Sequence, residues 1–164
     1  MGGRAKRTPI DAFVVLPGEG TPIQGPVGGA TVIKARTETT GGSFAMMENL
    51  VPPLQGPPLH RHAREDEMWY VVDGHFRFLA DGKVLDAPTG SFVFVPRGVA
   101  HCFQNTGTGE AKILVMFTPA GMERFFEQRS ELPEGPVDPE TYQAIAHGNW
   151  MEVLGPPLAE THPL

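Results

Sequence analysis

Turn signals recur at short intervals through the middle of the chain and leave no room for helices between them. Asp73-Gly74 and Asp81-Gly82 both have the composition of tight hairpin turns, in which glycine supplies the positive φ angle. The chain has 20 Gly and 17 Pro, but the segments between turns are rich in Val, Phe and Leu, which indicates short strands rather than disorder. Closely spaced strands without intervening helices predict an all-β antiparallel sandwich or barrel.

The same punctuation predicts the bounds of the individual elements. Strands are expected at residues 12–16, 30–36, 43–51, 58–62, 67–73, 75–80, 83–87, 91–95, 101–105 and 111–118. After Pro119 the pattern becomes helical, and residues 122–128 are expected to form a short helix. Asp138 is a suitable N-cap before a proline and Gly148 a natural stop, so a second helix is predicted over 139–147.

The length of the chain suits one domain, because cores of this size are usually undivided. Within residues 1–164 the sequence predicts an N-terminal extension with edge strands (1–36), a barrel core (42–118) and a helical tail (119–164). Open sheet edges tend to pair with other chains unless they are covered. Residues 10–36 or thereabouts are therefore expected to cover the barrel edge, in the same chain or on a partner subunit of a homodimer.

Charge and composition exclude several classes of function. The net charge of −6 argues against nucleic acid, which requires a dense cationic face. No apolar run approaches the roughly 20 residues that span a bilayer, so no membrane is expected as a partner. Residues 13–16 are too short for the apolar part of a secretory signal, and one cysteine, Cys102, rules out an internal disulfide. A cytoplasmic location is expected.

Three histidines and a carboxylate form the most informative pattern in the chain. His60 and His62 are two positions apart on a predicted strand and therefore share a face. A turn before Glu67 places that carboxylate on the neighbouring strand, and the strand after residues 96–98 presents His101. This mixed set of nitrogen and oxygen donors suits one divalent transition metal, namely Fe, Mn, Ni, Co, Cu or Zn, and does not suit Ca²⁺.

Other residues near this pattern are alternatives to the predicted ligands. Glu65 and Asp66 compete with Glu67 as the carboxylate, but Glu67 has the parity of the inward face, and Glu65 is expected in a solvated loop. Cys102 is out of phase with His101, so it is expected to face away from the metal as a small buried hydrophobe. Two or three of six larger side chains are expected to touch a small molecule bound above the metal: Phe44, Met46, Trp69, Phe78, Phe103 and Phe117.

The two segments that carry these residues resemble the signature motifs of the cupin superfamily. Residues 56–74 read Gly-…-His-x-His-x4-Glu-x6-Gly, and residues 90–105 read Gly-x5-Pro-x-Gly-x2-His-x3-Asn. One departure is that three residues separate Gly56 from His60, where the family more often has five. The resemblance implies a cupin-type antiparallel β-barrel (a double-stranded β-helix, jelly-roll-like) with a short C-terminal helical segment. It also implies the same four ligand positions.

The chain looks most like the small single-domain cupins that resemble quercetin 2,3-dioxygenase. That resemblance implies a metal-dependent dioxygenase acting with O₂ on a flavonol-like or other small enolic or aromatic substrate. In such an enzyme Glu67 takes the hydroxyl proton of the substrate as a base. Alternatives from the same fold are a non-oxidative metalloenzyme (an isomerase or lyase) and a metal- or small-molecule-binding protein without turnover. Small cupins are commonly dimers, which agrees with the expected homodimer.

Overall fold

The computed structural model describes residues 10–164, in which two antiparallel β-sheets enclose the core. The six-stranded sheet has the order β1-β2-β3-β10-β5-β8 and the five-stranded sheet the order β11-β4-β9-β6-β7. The strands are β1 (Thr21–Gln24), β2 (Ala30–Ala35), β3 (Ala45–Val51), β4 (Pro58–His62), β5 (Asp66–Asp73), β6 (His75–Ala80), β7 (Lys83–Pro88), β8 (Phe92–Val95), β9 (His101–Asn105), β10 (Ala111–Thr118) and β11 (Met151–Pro157).

Four helices lie between or after the strands. They are α1 (Thr37–Thr40), α2 (Glu123–Ser130), α3 (Pro139–Gly148) and α4 (Leu158–Thr161). The predicted all-β barrel with a short C-terminal helical segment is confirmed. The Asp138 side chain accepts a hydrogen bond from the Thr141 amide at 3.0 Å, as expected for the N-cap of α3. No helix among the described residues is long and apolar enough to cross a membrane.

The sequence missed or misplaced elements at both ends of the chain. Residues 12–16 were expected to form a strand, but they belong to no strand of the described chain, and Phe13, Val14 and Leu16 are exposed. Instead β1 is the outermost strand of its sheet, and it pairs with β2 so that Thr21 lies opposite Ile33. No strand was expected at these residues, and an edge strand tolerates Pro22 because it has a neighbour on one side only. The first nine residues of the predicted N-terminal extension lie outside the described residues.

The predicted helical tail also contains a strand. β11 pairs antiparallel with β4, opposite both histidines of that strand, and its register shifts on either side of Gly155. Residues 119–164 were expected to form a helical tail, and Gly155 with the two prolines after it disfavours a central strand. At the edge of a sheet they are tolerated, and only the pairing with β4 makes this segment a strand.

Aromatic side chains fill the barrel interior on one side of the histidines. Trp69 on β5 and Phe78 on β6 are fully buried, with ring centroids 5.1 Å apart. Trp69 also meets the His101 ring edge-on at 5.4 Å, so this end of the barrel is packed against the site. Cys102 is buried on the opposite side of β9 from His101, as its parity predicts, and burial raises the pKa of its thiol to about 11.

Helices α2 and α3 cover the opposite end of the barrel. The Glu123 carboxylate is buried and accepts hydrogen bonds from the backbone amides of Thr37 at 2.8 Å and Gly121 at 2.7 Å, which fixes the start of α2 against α1. The helix then buries Phe125 and Phe126, and the Phe126 ring lies 6.0 Å from that of Phe117 on β10. The apolar face of the tail therefore closes the barrel above the histidines.

Candidate metal centre

The four predicted ligands come together from three strands and both sheets. His60 and His62 lie on β4, Glu67 on β5 and His101 on β9, and all four side chains are buried. One ligand atom from each residue lies within 4.8 Å of the ligand atoms of the others. His60 is directly opposite His101 in the pairing of β4 with β9. The cluster therefore links the two sheets at a point inside the barrel.

Local sequence explains why these side chains point inward. Strand alternation sends His60 and His62 to the interior and leaves Arg61 on the surface, where it forms an ion pair with Glu152 at 2.6 Å. Gly56 precedes β4 where the chain approaches β9 closely, because a Cβ atom there would lie 1.7 Å from the Phe103 carbonyl oxygen. Only glycine permits this approach, which positions the histidine strand next to β9.

The three imidazoles converge on one carboxylate oxygen through the same ring nitrogen. Glu67 Oε2 lies 2.7 Å from His101 Nε2, 2.8 Å from His62 Nε2 and 3.9 Å from His60 Nε2. His60 Nδ1 is 2.7 Å from the Pro58 carbonyl oxygen and His101 Nδ1 is 2.9 Å from that of Val99. Each Nδ1–H donates to its carbonyl, which leaves the Nε2 lone pair available for a metal.

His62 provides a further test of whether a metal fits this site. Both of its ring nitrogens are buried: Nδ1 has no partner among the described residues, and Nε2 lies 2.8 Å from Glu67 Oε2 without the geometry of a hydrogen bond. Burying an imidazole without a partner costs free energy unless something else satisfies the nitrogen. A divalent cation at the convergence of the Nε2 atoms satisfies it, so the four residues fit a transition metal.

The electrostatics of the cluster keep most of its members in the deprotonated form that can bind a metal. Burial alone would raise the pKa of Glu67, but the charge of His62 and hydrogen bonds with the imidazoles hold it well below its ordinary value. Burial, with repulsion from His101, lowers the pKa of His60 to about 4. Burial would also lower the pKa of His101, but its hydrogen bond with Glu67 raises it overall. A cation must therefore displace a proton from His101.

The two competing carboxylates lie outside the cluster, for different reasons. Asp66 points to the surface and pairs with the Arg97 guanidinium at 3.0 Å. Glu65 was expected in a solvated loop, and that expectation is wrong, because its side chain is buried. The loop folds under a later segment, since Arg64 donates a hydrogen bond to the Ala120 carbonyl at 2.9 Å. Burial raises the pKa of Glu65.

Replacing the two glutamates in turn tests the choice of carboxylate. Glu67→Gln removes the negative charge and the basic oxygen, so we expect part of the metal to be kept but proton abstraction to be lost. Glu65→Gln is the matched control, since Glu65 is equally buried, and it should keep both metal and activity. Metal analysis and turnover of both variants check this. A fully active Glu67→Gln beside an inactive Glu65→Gln would mean that the other carboxylate is the functional one.

A cavity of about 40 Å³ adjoins the cluster. Phe103 and Phe117 line it, whereas Trp69 and Phe78 belong to the packed core, and Phe44 and Met46 line a groove on the outer face of the six-stranded sheet. Beyond three of the ligands, the remaining walls come from Pro26, Val27, Asn49, Pro57, Val115, Met122, Phe125, Phe126, Tyr142 and Met151. The helical cover supplies several of these, and no motif in the sequence signalled them.

Comparison with known proteins agrees with this architecture. Residues 47–117 match the family model of the cupin domain. Protein SchB of Streptomyces halstedii is 31% identical over 93 residues, which cover 56% of this chain and 67% of SchB. The chain belongs to the cupin family. The match to the family model includes all four clustered residues. The expected membership of the cupin family is confirmed.

Other curated relatives carry different descriptions. The oxalate-binding protein of Thermotoga maritima is 32% identical over 73 residues, which cover 44% of this chain and 59% of that protein. The quercetin 2,3-dioxygenase of Bacillus subtilis is 25% identical over 113 residues, which cover 69% of this chain and 33% of the enzyme. This cupin therefore spans less than two thirds of either relative, and their descriptions differ from each other.

Solved structures agree on the fold. An RmlC-like cupin from Shewanella frigidimarina superimposes with a TM-score of 0.59 at 18% identity, covering 69% of this chain and 96% of that one. A Thermotoga maritima protein described as a predicted oxalate decarboxylase gives a TM-score of 0.56 at 26% identity, covering 65% of this chain and 99% of that one. The cupin barrel is thus common to proteins with different descriptions.

Proposed function

We propose that this cupin is a metal-dependent dioxygenase that acts on a small enolic or phenolic substrate. The observation that carries the proposal is the composition of the cavity beside the cluster. Its walls are mostly apolar, its one carboxylate is Glu67, and none of the described residues lining it is Lys or Arg. A divalent transition metal held by His60, His62, Glu67 and His101 would supply Lewis acidity toward a hydroxyl and a binding position for O₂.

Charge balance in the cavity favours a substrate that binds as a monoanion. A divalent cation beside the ionised Glu67 leaves one net positive charge in a buried site, and one enolate or phenolate oxygen neutralises it. A dianion such as oxalate would leave a net negative charge with no lining cation to offset it. Buried, uncompensated charge is costly. The same absence of a lining cation disfavours a phosphorylated sugar.

The acid–base groups of the cavity favour oxidation over isomerisation or elimination. An isomerase or lyase moves protons between substrate positions and needs a titratable group near neutrality. Outside the cluster the only titratable side chain lining the cavity, among the described residues, is Tyr142. Burial raises the pKa of Tyr142 to about 12, so its hydroxyl is a poor acid and, while protonated, no base. Glu67 is left as the base for a substrate hydroxyl, and because its own pKa is held well below the ordinary value, the metal would have to lower the pKa of that hydroxyl for the transfer to occur.

The volume of the cavity favours a small substrate over a flavonol. About 40 Å³ holds a few water molecules, so a ring-containing ligand enters only when the walls move outward. Helices α2 and α3 contribute Phe125, Phe126 and Tyr142 to those walls, and a single-ring or open-chain enol requires less displacement of the walls than a polycyclic flavonol. Apolar walls also admit O₂ readily and exclude water from the reacting atoms.

Oxygen uptake tests the proposal directly. Protein loaded separately with Fe(II), Ni(II), Mn(II), Co(II), Cu(II) or Zn(II) is supplied with acetylacetone, catechol, quercetin or oxalate while dissolved O₂ is recorded. We expect uptake with a small enol or phenol and at least one redox-active metal, and none with the Zn(II) form. Conversion of a substrate without O₂ uptake would instead support the isomerase or lyase alternative. Tight binding without conversion would support a binding protein.

We also infer that the protein is a homodimer, with the outer face of the six-stranded sheet as the contact. Two rows of side chains cross that face, each made of paired positions on neighbouring strands. The first row is Met46, Met116, Met68 and Phe94. The second is Leu114, Tyr70 and Phe92, with Glu48 at the end beside Leu114. Phe92 is 60% exposed and Phe94 52% exposed. Neighbouring exposed aromatic side chains on one face of a sheet favour burial against a second copy of the same surface.

Light scattering on the wild-type protein and on Phe94→Glu tests this contact. We expect a dimer at micromolar concentration for wild type and a monomer for Phe94→Glu, because a carboxylate cannot be buried in an apolar interface without a partner. Phe94→Leu keeps the apolar character and is expected to remain dimeric. The metal content of all three should be equal, since Phe94 faces away from the cluster. A monomeric wild type at that concentration would contradict the inference.

A further inference from the structure

Asn49 is an amide in an otherwise apolar, inward-facing row. On β3 the buried positions alternate with half-buried ones, and the buried neighbours of Asn49 in this row are Met47 and Val51. Asn49 itself is only 4% exposed. It is paired with Thr31 on β2 and with Ile113 on β10, so it lies in the interior of the six-stranded sheet rather than at an edge.

The amide oxygen of Asn49 has no hydrogen-bond partner among residues 10–164. Removing a carbonyl oxygen from water without replacing its hydrogen bonds destabilises a fold. Leucine has almost the same size and branching and would fill the same space without this cost. The amide is thus unfavourable for the core, and its use lies in what enters the adjoining cavity.

Asn49 lines the same cavity as His60, His62 and Glu67. Asn49 and Glu67 lie at different ends of the cavity, as the strand register shows. Phe117 on β10 pairs with Glu67 on one side and with Ala45 of β3 on the other, and Asn49 is four positions beyond Ala45 along β3. Apart from the ligands, Asn49 and Tyr142 are the only described residues with polar side chains in the lining. A ligand held by the metal at one end therefore meets a hydrogen-bond acceptor at the other.

We propose that Asn49 is a specificity-determining residue that accepts a hydrogen bond from a hydroxyl or N–H group of the substrate, remote from its metal-binding oxygens. This inference rests on the proposed function, because it assumes a substrate anchored at the four-residue cluster. It narrows the substrate class to small enols or phenols that carry a second, distal donor. A buried acceptor discriminates against an analogue without the donor, because the acceptor is then left unpaired.

Two matched chelators separate the contribution of Asn49 from that of the metal. Kojic acid and allomaltol share the same hydroxypyranone chelating group and differ only in a distal hydroxymethyl or methyl group. Binding of each to the Zn(II)-loaded protein is measured by calorimetry, without turnover. For wild type we expect kojic acid to bind roughly three- to tenfold more tightly than allomaltol, as one net hydrogen bond gives. Kojic acid methylated on the oxygen of its hydroxymethyl group, with the chelating ring hydroxyl left free, should bind like allomaltol.

Asn49→Leu removes the acceptor at nearly constant volume and should bring the affinity ratio of the two chelators to about one. Its melting temperature should rise above that of the wild type, because an unpartnered buried amide is removed. Met47→Leu is the control, since Met47 is equally buried on the same strand but does not line the cavity. It should keep the wild-type ratio.

The outcomes distinguish this inference from the proposed function. Equal binding of the two chelators by wild type, or an unchanged ratio in Asn49→Leu, would overturn the role of Asn49 while leaving the metal site intact. Failure of either chelator to bind the Zn(II)-loaded wild type would overturn both. If Asn49→Leu does not fold, Tyr142→Phe decides the question, because Tyr142 is the other polar side chain of the lining. An unchanged ratio in Tyr142→Phe supports Asn49, and a ratio of about one would overturn its role.

Discussion

His62→Ala is expected to lose most of the metal that the wild-type protein binds. His62 is one of four donors, and its Nε2 atom lies 2.8 Å from Glu67 Oε2, where the ligand atoms of the cluster converge. Alanine leaves a three-donor set and a space beside the Phe117 ring, whose centroid lies 5.5 Å from that of His62. Metal analysis after reconstitution and desalting measures the loss, which should exceed that of any single change outside the cluster.

His75→Ala is the matched control for this experiment. His75 is a histidine at the start of β6 that pairs with Asp86 at 2.6 Å on the surface, and it is not part of the cluster. Its removal should leave the metal content at the wild-type level. Near-stoichiometric metal in His62→Ala, with the same result for His75→Ala, would refute the assignment of the site.

The second large effect is the stabilisation of the fold by the metal. An ion that binds only the folded state adds RT ln(1 + [L]/Kd) to the free energy of unfolding, about 4 kcal/mol when free metal exceeds Kd a thousandfold. For a domain of this size that is a rise in melting temperature of several degrees. Thermal melts of chelated and reloaded protein at pH 7.5 measure it. Equal melting temperatures would mean that the four residues form no tight site.

The rise in melting temperature that metal gives at pH 7.5 should largely disappear at pH 5, as the pKa shifts of the cluster predict. In the metal-free protein Glu67 raises the pKa of His101 above the ordinary 6.5. A raised imidazole pKa stabilises the metal-free fold below pH 6.5, and this stabilisation is lost as the pH rises through the folded pKa. The lowered pKa of His60, about 4, acts in the opposite sense on the metal-free fold, and His60 stays unprotonated at pH 5. Protonation of His101 is therefore what displaces the metal at low pH. The depressed pKa of Glu67 affects stability only below pH 4.5, outside this window.

The metal-free protein should nevertheless unfold cooperatively. The buried core contains Trp69, Phe76 and Phe78, which pack against one another without contribution from any ion. A chain of this size buries enough apolar surface to fold alone, unlike a zinc finger. Chelated protein that shows no transition at either pH would contradict this expectation.

The sequence predicted the features of this molecule that depend on local pattern. Strand alternation and hairpin turns are encoded within a few residues, so β4, β9 and β10 were predicted to the residue. Parity alone was sufficient to bring His60 and His62 to one face and to turn Cys102 away from it. Local pattern placed each of the four clustered residues on a strand, whereas the resemblance to the cupin motifs implied that β4, β5 and β9 bring them together.

Long-range packing explains what the sequence did not predict. Glu65 is buried because Arg64 contacts Ala120, 56 positions away, and no local pattern encodes that contact. Part of the cavity wall, Phe125, Phe126 and Tyr142, comes from α2 and α3, whose amphipathic faces predict burial but not against which surface. The polar character of Asn49 stands out only once β3 is known to face the cavity, since asparagine occurs at exposed strand positions in many proteins.

The position of β11 has a consequence for biosynthesis. All four ligands have been translated once the ribosome reaches residue 101, and the last strand of the barrel core ends at Thr118. The strand that flanks the two histidines of β4 follows much later, since Arg61 and its partner Glu152 are 91 positions apart. A nascent chain thus presents its histidines on a strand with one open edge and no helical cover. The open edge of β4 therefore closes only after the strands that carry the cluster have been made.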